Sequence, residues 1–342
     1  MEALYSLEST NDQAEWDQFV LSHPHGSFFH LSGWRDVIRQ VFPHRTHFLF
    51  TRAAGQISGV LPLAEVRSLL FGHKLVSLPF CVYGGVLGST ADDEAALVTE
   101  AGALARRLGV DYLELRQRQA LSAMPTVDRY VTFRRRLDGD SEANMRAIPR
   151  KQRAMIRKGG AKGLRPVFGS TVRAFFRIYA ESLRSLGTPV LPLRYFAALE
   201  RVFGERCQTL TVGLPGEEPV AAVMSFYFRD EVLPYYGGGT AAARDLHAYD
   251  FMYWELLLNA LGRGCKLFDF GRSRQGTGSY RFKTHWGFEP EPLHYQYDLV
   301  RSKALPNISP DNPRYGTLIN VWRRLPLAVT TAIGPWIARD LG

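Results

Sequence analysis

The residues best suited to chemistry lie in one segment, residues 268–288, with the sequence FDFGRSRQGTGSYRFKTHWGF. Its first residues alternate apolar, acidic and apolar, which predicts a short strand that carries Asp269 and ends at Gly271, where positive φ is easy. Arg272 and Arg274 follow at the carboxyl end of that strand. A carboxylate beside guanidinium groups at a strand end is suited to proton transfer or to binding an anion.

The second half of the segment predicts a turn and a short helix. Gly276 and Gly278 bracket the turn, Ser279 is expected to cap the helix, and Gly287 ends it. The helix carries Lys283 among aromatic residues. Free N–H groups at a helix start favour an anion-binding crevice, whereas the alternative is a packed glycine-rich corner without chemistry. The other residues of this segment that we expect to bind substrate are Ser273, Tyr280 and Trp286.

Composition limits the class of protein. A chain of 342 residues that is 46% hydrophobic can bury one large core or, more typically, two domains. The net charge of +9 favours polyanionic partners such as RNA, nucleotide pyrophosphates or a membrane surface. The three cysteines are isolated, so neither disulfides nor a metal site is expected. Because we find no secretory signal and no apolar run of about 20 residues, we expect a cytoplasmic protein, at most peripheral at the inner membrane.

A run of like charge lies between the two halves of the chain. Eight basic residues fall within residues 144–165, and a helix is expected to begin after Pro149. Such a run is often a solvated helix face, but here no acidic residue compensates it, so a phosphate-bearing partner is an equal alternative. The residues expected to contact its phosphates, which would be those of tRNA if the family resemblance described below holds, are Arg150, Lys151, Arg153 and Arg157.

The second half of the chain repeats the plan of the first. The sequence YGG at residues 83–85 recurs at 236–238, and LEL at 113–115 corresponds to FDF at 268–270, so the two offsets are nearly equal. Both matches fall in the same succession of predicted strands and helices, which favours duplication of one α/β unit. We therefore expect domains at residues 1–140 and 141–302. The remaining residues, 303–342, predict an amphipathic tail that packs on the body or on a membrane surface.

The order of elements resembles the acetyltransferase fold called GNAT, and KTHWGF at residues 283–288 resembles its Tyr-x-x-x-Gly-Phe signature. Two such units in tandem resemble the FemAB family, especially the FemAB-like proteins associated with exosortase (PEP-CTERM) and exopolysaccharide systems. The motifs are GTPVLPLRYF, PYYGGGT, AYDFMYWELL and FDFGRSRQGTGSYRFKTHWG, and the likeness extends from residue 27 onward. It implies an α/β (α+β) fold with two tandem GNAT-like acyltransferase domains, each a mixed, mostly antiparallel sheet flanked by helices.

The resemblance also implies an activity. FemAB proteins move an aminoacyl group from charged tRNA to an amine of a cell-wall precursor, so it implies an N-acyltransferase acting on a peptidoglycan, cell-envelope or exopolysaccharide precursor. No cofactor would be bound permanently, and the donor would be aminoacyl-tRNA or acyl-CoA. Lys283 stands where FemAB proteins carry the Lys of Phe-Lys-x-x-x-Gly, and a cation there stabilises an oxyanion and a leaving group. Arg272 and Asp269 complete the expected catalytic set.

Further site residues follow from the same resemblance. Tyr195 and Tyr236 match tyrosines that the cross-bridge enzymes present to a nucleotide-sugar precursor, and Gly237 and Gly238 adjoin the second of them. Leu191 stands where those enzymes carry an arginine. The acetyltransferase pyrophosphate loop, Gln/Arg-x-x-Gly-x-Gly/Ala, is replaced here by GGGTAAARDLHAYD, which argues against acyl-CoA as donor.

Two alternatives stay open from the sequence. Asp269 and its counterpart in the first half, Glu114, are either general bases or members of hydrogen-bond networks. The whole chain is either an N-acyltransferase or a non-catalytic GNAT-fold protein that docks RNA or an anionic membrane through its basic surface. Oligomeric state cannot be predicted from these patterns.

Overall fold

The computed structural model describes residues 5–7, 9–121, 124–306 and 313–341. Its strands, numbered in chain order, are β1 (Tyr5–Ser6), β2 (Arg45–Ala53), β3 (Gln56–Ser68), β4 (Gly72–Val76), β5 (Leu87–Gly88), β6 (Tyr112–Gln117), β7 (Thr126–Val127), β8 (Tyr130–Arg136), β9 (Arg165–Phe168), β10 (Cys207–Gly213), β11 (Ala221–Phe228), β12 (Glu231–Gly239), β13 (Leu267–Asp269), β14 (Ser273–Arg274), β15 (Pro290–Pro292) and β16 (His294–Leu299). Its α-helices are α1 (Thr10–Ser22), α2 (Gly33–Val41), α3 (Ala91–Leu108), α4 (Ser141–Ala147), α5 (Arg150–Ala161), α6 (Val172–Leu186), α7 (Leu193–Phe203), α8 (Ala242–Asp245), α9 (Ala248–Gly262), α10 (Gly278–His285), α11 (Pro313–Arg324) and α12 (Leu327–Ala338).

The chain forms two compact units. The first comprises Met1–Arg129, Pro292–Asn312 and Ala338–Gly342, and the second comprises Tyr130–Glu291 and Pro313–Ile337. Each unit is built on its own mixed sheet flanked by helices, as the sequence predicted. None of the described helices is long and apolar enough to cross a membrane.

The sheet of the first unit has the strand order β1-β2-β3-β4-β6-β16-β7, with β5 paired to β3. All of its neighbours are antiparallel except β4 and β6, which pair in parallel from Lys74 opposite Tyr112 to Val76 opposite Glu114. The chain reaches β6 from β4 through α3, as a parallel connection requires. Helix α3 begins with a capping box between Thr90 and Asp93.

The sheet of the second unit has the strand order β14-β8-β13-β12-β11-β10-β9, with β15 paired to β8. Here β12 and β13 form the parallel pair, and α8 and α9 lie between them in the sequence. Strand β11 is buried along its whole length, because α6 and α9 both pack on it. Successive residues of β12 face these two helices in turn: Gly237 lies against Tyr253 of α9, and Gly238 lies against Ser182 of α6.

The units do not follow the predicted ranges 1–140, 141–302 and 303–342. Strand β8 was expected in the first domain but pairs with β13, and β16 was expected in the second but pairs with β6. The contacts of β8 explain its place, since Arg134 bonds to two carboxylates of the second unit, Asp269 and Glu231. Of these predicted ranges, residues 1–4, 8, 122–123, 307–312 and 342 lie outside the described part of the chain.

The predicted duplication is visible in the two parallel pairs. LEL at residues 113–115 lies in β6 and FDF at 268–270 begins in β13, so both occupy the second strand of the parallel pair. The YGG at 236–238 lies within β12, whereas that at 83–85 follows β4 in an irregular segment. This segment starts around Pro79 with positive φ at Leu78 and Phe80, which ends the strand early.

The C-terminal helices pack on the second unit through one side. Trp322 of α11 is buried, and Ile319 lies against the bare Cα of Gly187 at the end of α6. Arg323 Nη2 donates to the carbonyl of Leu186 at 3.3 Å. The other side of both helices is exposed to solvent.

Candidate active site

The predicted strand end at Asp269 forms as expected, and its carboxylate organises the turn that follows. Gly271, at φ 66°, donates its N–H to Asp269 Oδ1 at 2.7 Å. Thr132 Oγ1 donates to the same oxygen at 3.2 Å, and Arg134 Nε donates to Oδ2 at 3.1 Å. Arg134 also bonds to Glu231 at 2.5 Å. Because the carboxylate is buried and accepts three hydrogen bonds, its environment is that of a structural support and not of a free base.

Lys283 lies directly beside this turn. Its ammonium group donates to the carbonyls of Gly271 at 2.8 Å and Arg272 at 3.1 Å, and lies 5.5 Å from the ring centre of Phe133. Burial lowers the pKa of Lys283 to about 7; Asp269 opposes the shift and Arg272 adds to it. The side chain is only 8% exposed, so a buried amine that titrates near neutral pH stands at the end of β13.

Helix α10 fixes the position of Lys283 at both ends. Its N-cap is Thr277 and not Ser279, since Thr277 Oγ1 accepts the N–H of Tyr280 at 3.3 Å. At the other end Gly287 has φ 78°, as predicted, and the N–H of Phe288 bonds to the carbonyl of Lys283, which is a Schellman ending.

Trp286 anchors the same helix in the core. Its Nε1 donates to Asp250 Oδ1 at 2.8 Å, and Gln152 Nε2 donates to the same oxygen at 3.3 Å. Burial raises the pKa of the Asp250 carboxyl. Trp286 is fully buried, so the structure gives this predicted substrate-binding residue a packing role that holds α10 against α9 and α5.

A second feature of the site is the open edge of β12. Strand β13 pairs with β12 only at Glu231 and Val232 and ends at Asp269, while β12 continues to Gly239. No described strand therefore lies beside residues 233–239 on that edge. An unpaired strand edge can bind an extended ligand through its backbone N–H and C=O groups.

Tyr253 of α9 packs on the face of the sheet next to this open edge. Its hydroxyl oxygen approaches Gly237 so closely that a Cβ there would lie 2.6 Å away, and its ring stands 5.0 Å from that of Phe270, just beyond β13. Burial raises the pKa of the Tyr253 phenol. Tyr253 thus contacts β12 and the residue that follows β13. The sequence analysis did not select Tyr253, although AYDFMYWELL was among the motifs of the resemblance.

Tyr195 and Tyr236 are brought together, but inside the protein. Their hydroxyls lie 2.8 Å apart, and both rings pack with Phe196, which also contacts Tyr179; Tyr179 in turn packs on Tyr236. Burial raises the pKa of the Tyr236 phenol well above its usual range. Tyr195 is fully buried, which places this predicted substrate contact in an aromatic core beneath β12.

Positions 237 and 238 require glycine because helices pack closely against both residues. A Cβ on Gly238 would lie 2.7 Å from Ser182 Cβ and 3.2 Å from Tyr179 Cα, and one on Gly237 would meet Tyr253. These contacts account for both glycines by packing, without a substrate.

A substitution tests this packing role. We expect Gly238→Ala to lower the free energy of unfolding by about 1–3 kcal/mol, because the backbone of α6 must move. The matched control is Gly278→Ala in α10, where a Cβ meets nothing within 4 Å and the change should be neutral or stabilising by up to about 1 kcal/mol. Chemical denaturation of both variants measures the difference, and equal effects would contradict the packing explanation.

The other predicted site residues of segment 268–288 have different environments around Lys283. The guanidinium of Arg272 is exposed and lies 4.6 Å from the ring centre of Tyr130, so its carbonyl, and not its side chain, contacts Lys283. Ser273 is buried in β14, and its Oγ has no hydrogen-bond partner among the described residues. Tyr280 packs edge-on against Phe133. Gly276, at φ 76°, and Gly278 are exposed and have open space around them.

The basic run forms the helix expected after Pro149, with α5 beginning at Arg150. Gly159 lets the helix pack closely on α9, since a Cβ there would lie 2.8 Å from Phe251 Cβ. Arg153 is half-buried and its Nε has no partner among the described residues. The other three predicted phosphate contacts, Arg150, Lys151 and Arg157, are exposed.

Glu114 occupies the position in the first unit that Asp269 holds in the second. It is buried and bonded to Arg116 at 2.8 Å, and Arg116 also donates to the carbonyls of Leu78 and Cys81. Lys74 lies nearby, and burial lowers its pKa to about 8 while Glu114 opposes the shift. This cluster holds the irregular segment after β4, which makes Glu114 a structural carboxylate.

Sequence reasoning missed the residues of β8 that complete the site. Thr132, Phe133 and Arg134 all contact Asp269 or Lys283, yet β8 was assigned to the other domain. The available signal was the alternation in YVTFRRR, which places Thr132 and Arg134 on one side of a strand.

Comparison with known proteins finds one family model that matches part of the chain. This model, described as an acetyltransferase (GNAT) domain, matches residues 133–284, from the middle of β8 to α10, and the matched residues include the open edge of β12 and Lys283. No curated protein matches the sequence.

Three solved structures share the fold over most of the chain. The crystal structure of FemX has 12% identity and a TM-score of 0.65, covering 92% of this chain and 100% of its own. A tandem GNAT protein from the clavulanic acid biosynthesis pathway has 14% identity and a TM-score of 0.56, covering 90% and 100%. The C-terminal domain of a putative lysylphosphatidylglycerol synthetase from Agrobacterium fabrum has 13% identity and a TM-score of 0.55, covering 84% and 92%. At these identities the likeness concerns the fold, which is that of two tandem GNAT-like units.

Proposed function

We propose that this protein is an N-acyltransferase of the FemAB-like type whose reaction takes place in the second unit, beside Lys283. The observation that carries the proposal is the buried ammonium group at the end of β13, next to the unpaired edge of β12. The match of residues 133–284 to a GNAT acetyltransferase domain supports it. The acceptor would be an amine of a peptidoglycan, cell-envelope or exopolysaccharide precursor, of the kind handled with exosortase systems.

The chemistry needs a cation at this point. The acceptor amine attacks the carbonyl carbon of the donor ester or thioester, and the carbonyl oxygen becomes an oxyanion. The C–N bond forms, the C–O or C–S bond breaks, and the amine proton is lost as the alkoxide or thiolate gains one. Lys283 stabilises the oxyanion and can donate the proton to the leaving group, because burial lowers its pKa to about 7.

Asp269 takes a positioning role in this mechanism. Its hydrogen bond to the N–H of Gly271 fixes the turn whose carbonyls hold Lys283, and its negative charge favours the ammonium form. The carbonyl of Arg272 belongs to the same turn and accepts from Lys283. Its guanidinium would bind the anionic end of a donor. Tyr253 and the edge of β12 provide the wall along which the acyl group would lie.

Of the two donors, we favour aminoacyl-tRNA. The segment after β12 forms the short helix α8, and Gly239 lies against Ala243, with a Cβ-to-Cβ distance of 2.8 Å if a Cβ were added. This close contact accounts for Gly239 by packing, and the segment GGGTAAARDLHAYD departs from the Gln/Arg-x-x-Gly-x-Gly/Ala pattern that binds a pyrophosphate. The exposed cations of α5 suit a nucleic acid.

The test of function is transfer by the purified full chain. Labelled aminoacyl-tRNA and labelled acetyl-CoA are supplied separately, each with an extract of cell-envelope precursors, and product is measured by chromatography. Transfer from either donor that is lost in Lys283→Met but kept in Lys266→Met, an exposed lysine just before β13, supports the proposal. Absence of transfer from both donors, or equal activity of both variants, would overturn it.

The basic helix gives a separate prediction. Replacing Arg150, Lys151 and Arg157 with Gln should weaken tRNA binding by about tenfold or more and reduce the salt dependence of the affinity, since each lost phosphate contact lowers the slope by roughly 0.7 for single-stranded regions. Filter binding at several salt concentrations measures this. The control replaces three exposed arginines elsewhere in the second unit, Arg173, Arg201 and Arg206, with Gln, and an equal loss there would mean that only net charge matters.

A further inference from the structure

Helix α12 has an unusual composition for a surface helix. Its sequence, LAVTTAIGPWIA, contains no charged residue. One side packs on the second unit: Thr330 is buried, and Gly334 approaches the backbone of Val190 so closely that a Cβ would lie 3.2 Å from its nitrogen. The packed side thus consists of small residues that allow close contact.

The opposite side of α12 is apolar as well, yet it faces solvent. Val329, Ile333 and Trp336, at positions i, i+4 and i+7, are 40%, 43% and 67% exposed. This spacing places them on one stripe of the helix. A helix that is apolar on both sides is expected inside a protein or against a membrane, and not in water.

Helix α11, which precedes α12 in the chain, also has exposed apolar residues and carries charge of one sign. Leu318 and Val321 are exposed one turn apart, and the helix ends with the exposed cations Arg323 and Arg324. Leu186 is exposed as well, and its carbonyl accepts a hydrogen bond from the Arg323 side chain of α11. Residues 313–338 contain no aspartate or glutamate. We call the exposed stripe of α12 with the arginines that precede it the α11–α12 face.

We propose that the α11–α12 face binds the surface of an anionic lipid bilayer. Aliphatic side chains beside arginines, with an exposed tryptophan, are the composition of helices that lie in the membrane interface. The arginines complement anionic head groups, and the excess of nine positive charges on the chain acts in the same direction.

The same charges argue against self-association. An isologous contact through this face would place Arg323 and Arg324 of both copies in an interface to which α11 and α12 contribute no acidic partner. A lipid surface buries the apolar stripe and at the same time provides anionic head groups for the arginines.

Tryptophan fluorescence reports on this face selectively. The chain has six tryptophans, and the five others are at most 8% exposed. Vesicles of phosphatidylcholine and phosphatidylglycerol in equal amounts, with acyl chains brominated near the head group, should therefore quench mainly Trp336. Trp336→Phe should keep vesicle binding and lose the quenching. Binding without quenching in the full chain would overturn the assignment to this face.

Sedimentation with unbrominated vesicles measures how much the apolar residues and the arginines contribute to vesicle binding. Val329→Ser combined with Ile333→Ser should reduce binding about tenfold or more, because both side chains would leave the bilayer interface. Arg323→Gln with Arg324→Gln should reduce binding to the mixed vesicles but not to pure phosphatidylcholine. Leu69→Ser with Leu70→Ser, the matched loss of two exposed leucines in the turn between β3 and β4, should leave binding unchanged.

Each other result decides against the proposal. Equal loss in the Leu69 and Leu70 variant, or no loss in the α12 variant, would remove the α11–α12 face as the binding surface. A full chain that is dimeric in sedimentation velocity, and monomeric after the α12 substitutions, would identify a second copy as the occupant. Binding is measured without any acyl donor, so failure here is separate from failure of the proposed transfer reaction.

Discussion

Lys283→Met should lower kcat for acyl transfer by about 10²–10³, with KM changed little, because removing one preorganised donor from an oxyanion site has an effect of this size. The methionine keeps the volume of the side chain and leaves α10 anchored by Trp286 and Asp250. Initial rates with the donor identified in the transfer assay measure the effect. A variant with a raised KM and an unchanged kcat would indicate that Lys283 only binds substrate.

The pH dependence of the same rate identifies the form of Lys283 that acts. Burial lowers the pKa of Lys283 to about 7, so the side chain is cationic below that pH and neutral above it. If the cation stabilises the oxyanion, kcat should fall as pH rises through about 7. If the neutral amine acts as a base, kcat should instead rise through the same range.

The Lys283→Arg variant distinguishes the titration of Lys283 from the titration of other groups. A guanidinium stays charged throughout the range, so the variant should lose the decline above pH 7 and retain any titration of the acceptor amine. Its absolute rate should be reduced, since the planar group cannot make the two carbonyl hydrogen bonds of the ammonium with the same geometry. A decline of equal midpoint in the variant and the native protein would show that another group titrates.

The local arrangement around Lys283 could be predicted because it depends on neighbours in sequence. The strand end at Asp269, the turn at Gly271 and the end of α10 at Gly287 each follow from residues within a few positions. The predicted N-cap was wrong: Thr277 and Ser279 are both residue types that cap helices well, and in the structure Thr277 accepts the N–H of Tyr280.

The parts that depend on distant residues could not be predicted. Nothing in YVTFRRR reveals that Arg134 pairs with Asp269, 135 positions later, so the predicted boundary at residue 140 left β8 in the first domain. Gly238 was predicted as a substrate contact because it adjoins Tyr236 in the motif of the resemblance, whereas the approach of Ser182 to it is a tertiary contact. Tyr195 and Trp286 have polar atoms that suit a substrate, but their partners, Tyr236 and Asp250, lie far along the chain.

Arg116→Met should lower the free energy of unfolding by about 3–5 kcal/mol, the largest change in stability that we expect from a single charged residue. The substitution leaves the buried Glu114 without the guanidinium at 2.8 Å and removes the hydrogen bonds that Arg116 donates to the carbonyls of Leu78 and Cys81. Lys74 can compensate only in part, because it too is buried.

A double-mutant cycle and a matched surface control make this test specific. Glu114→Leu combined with Arg116→Met should be less destabilised than the sum of the two single variants, since no isolated carboxylate or guanidinium then remains. Arg106→Met breaks an exposed pair with Asp298 of similar length, 3.0 Å, and should cost less than about 1 kcal/mol. Additive single effects at Glu114 and Arg116 would contradict the coupling. An Arg116 variant as stable as the Arg106 control would mean that this cluster does not hold the segment after β4.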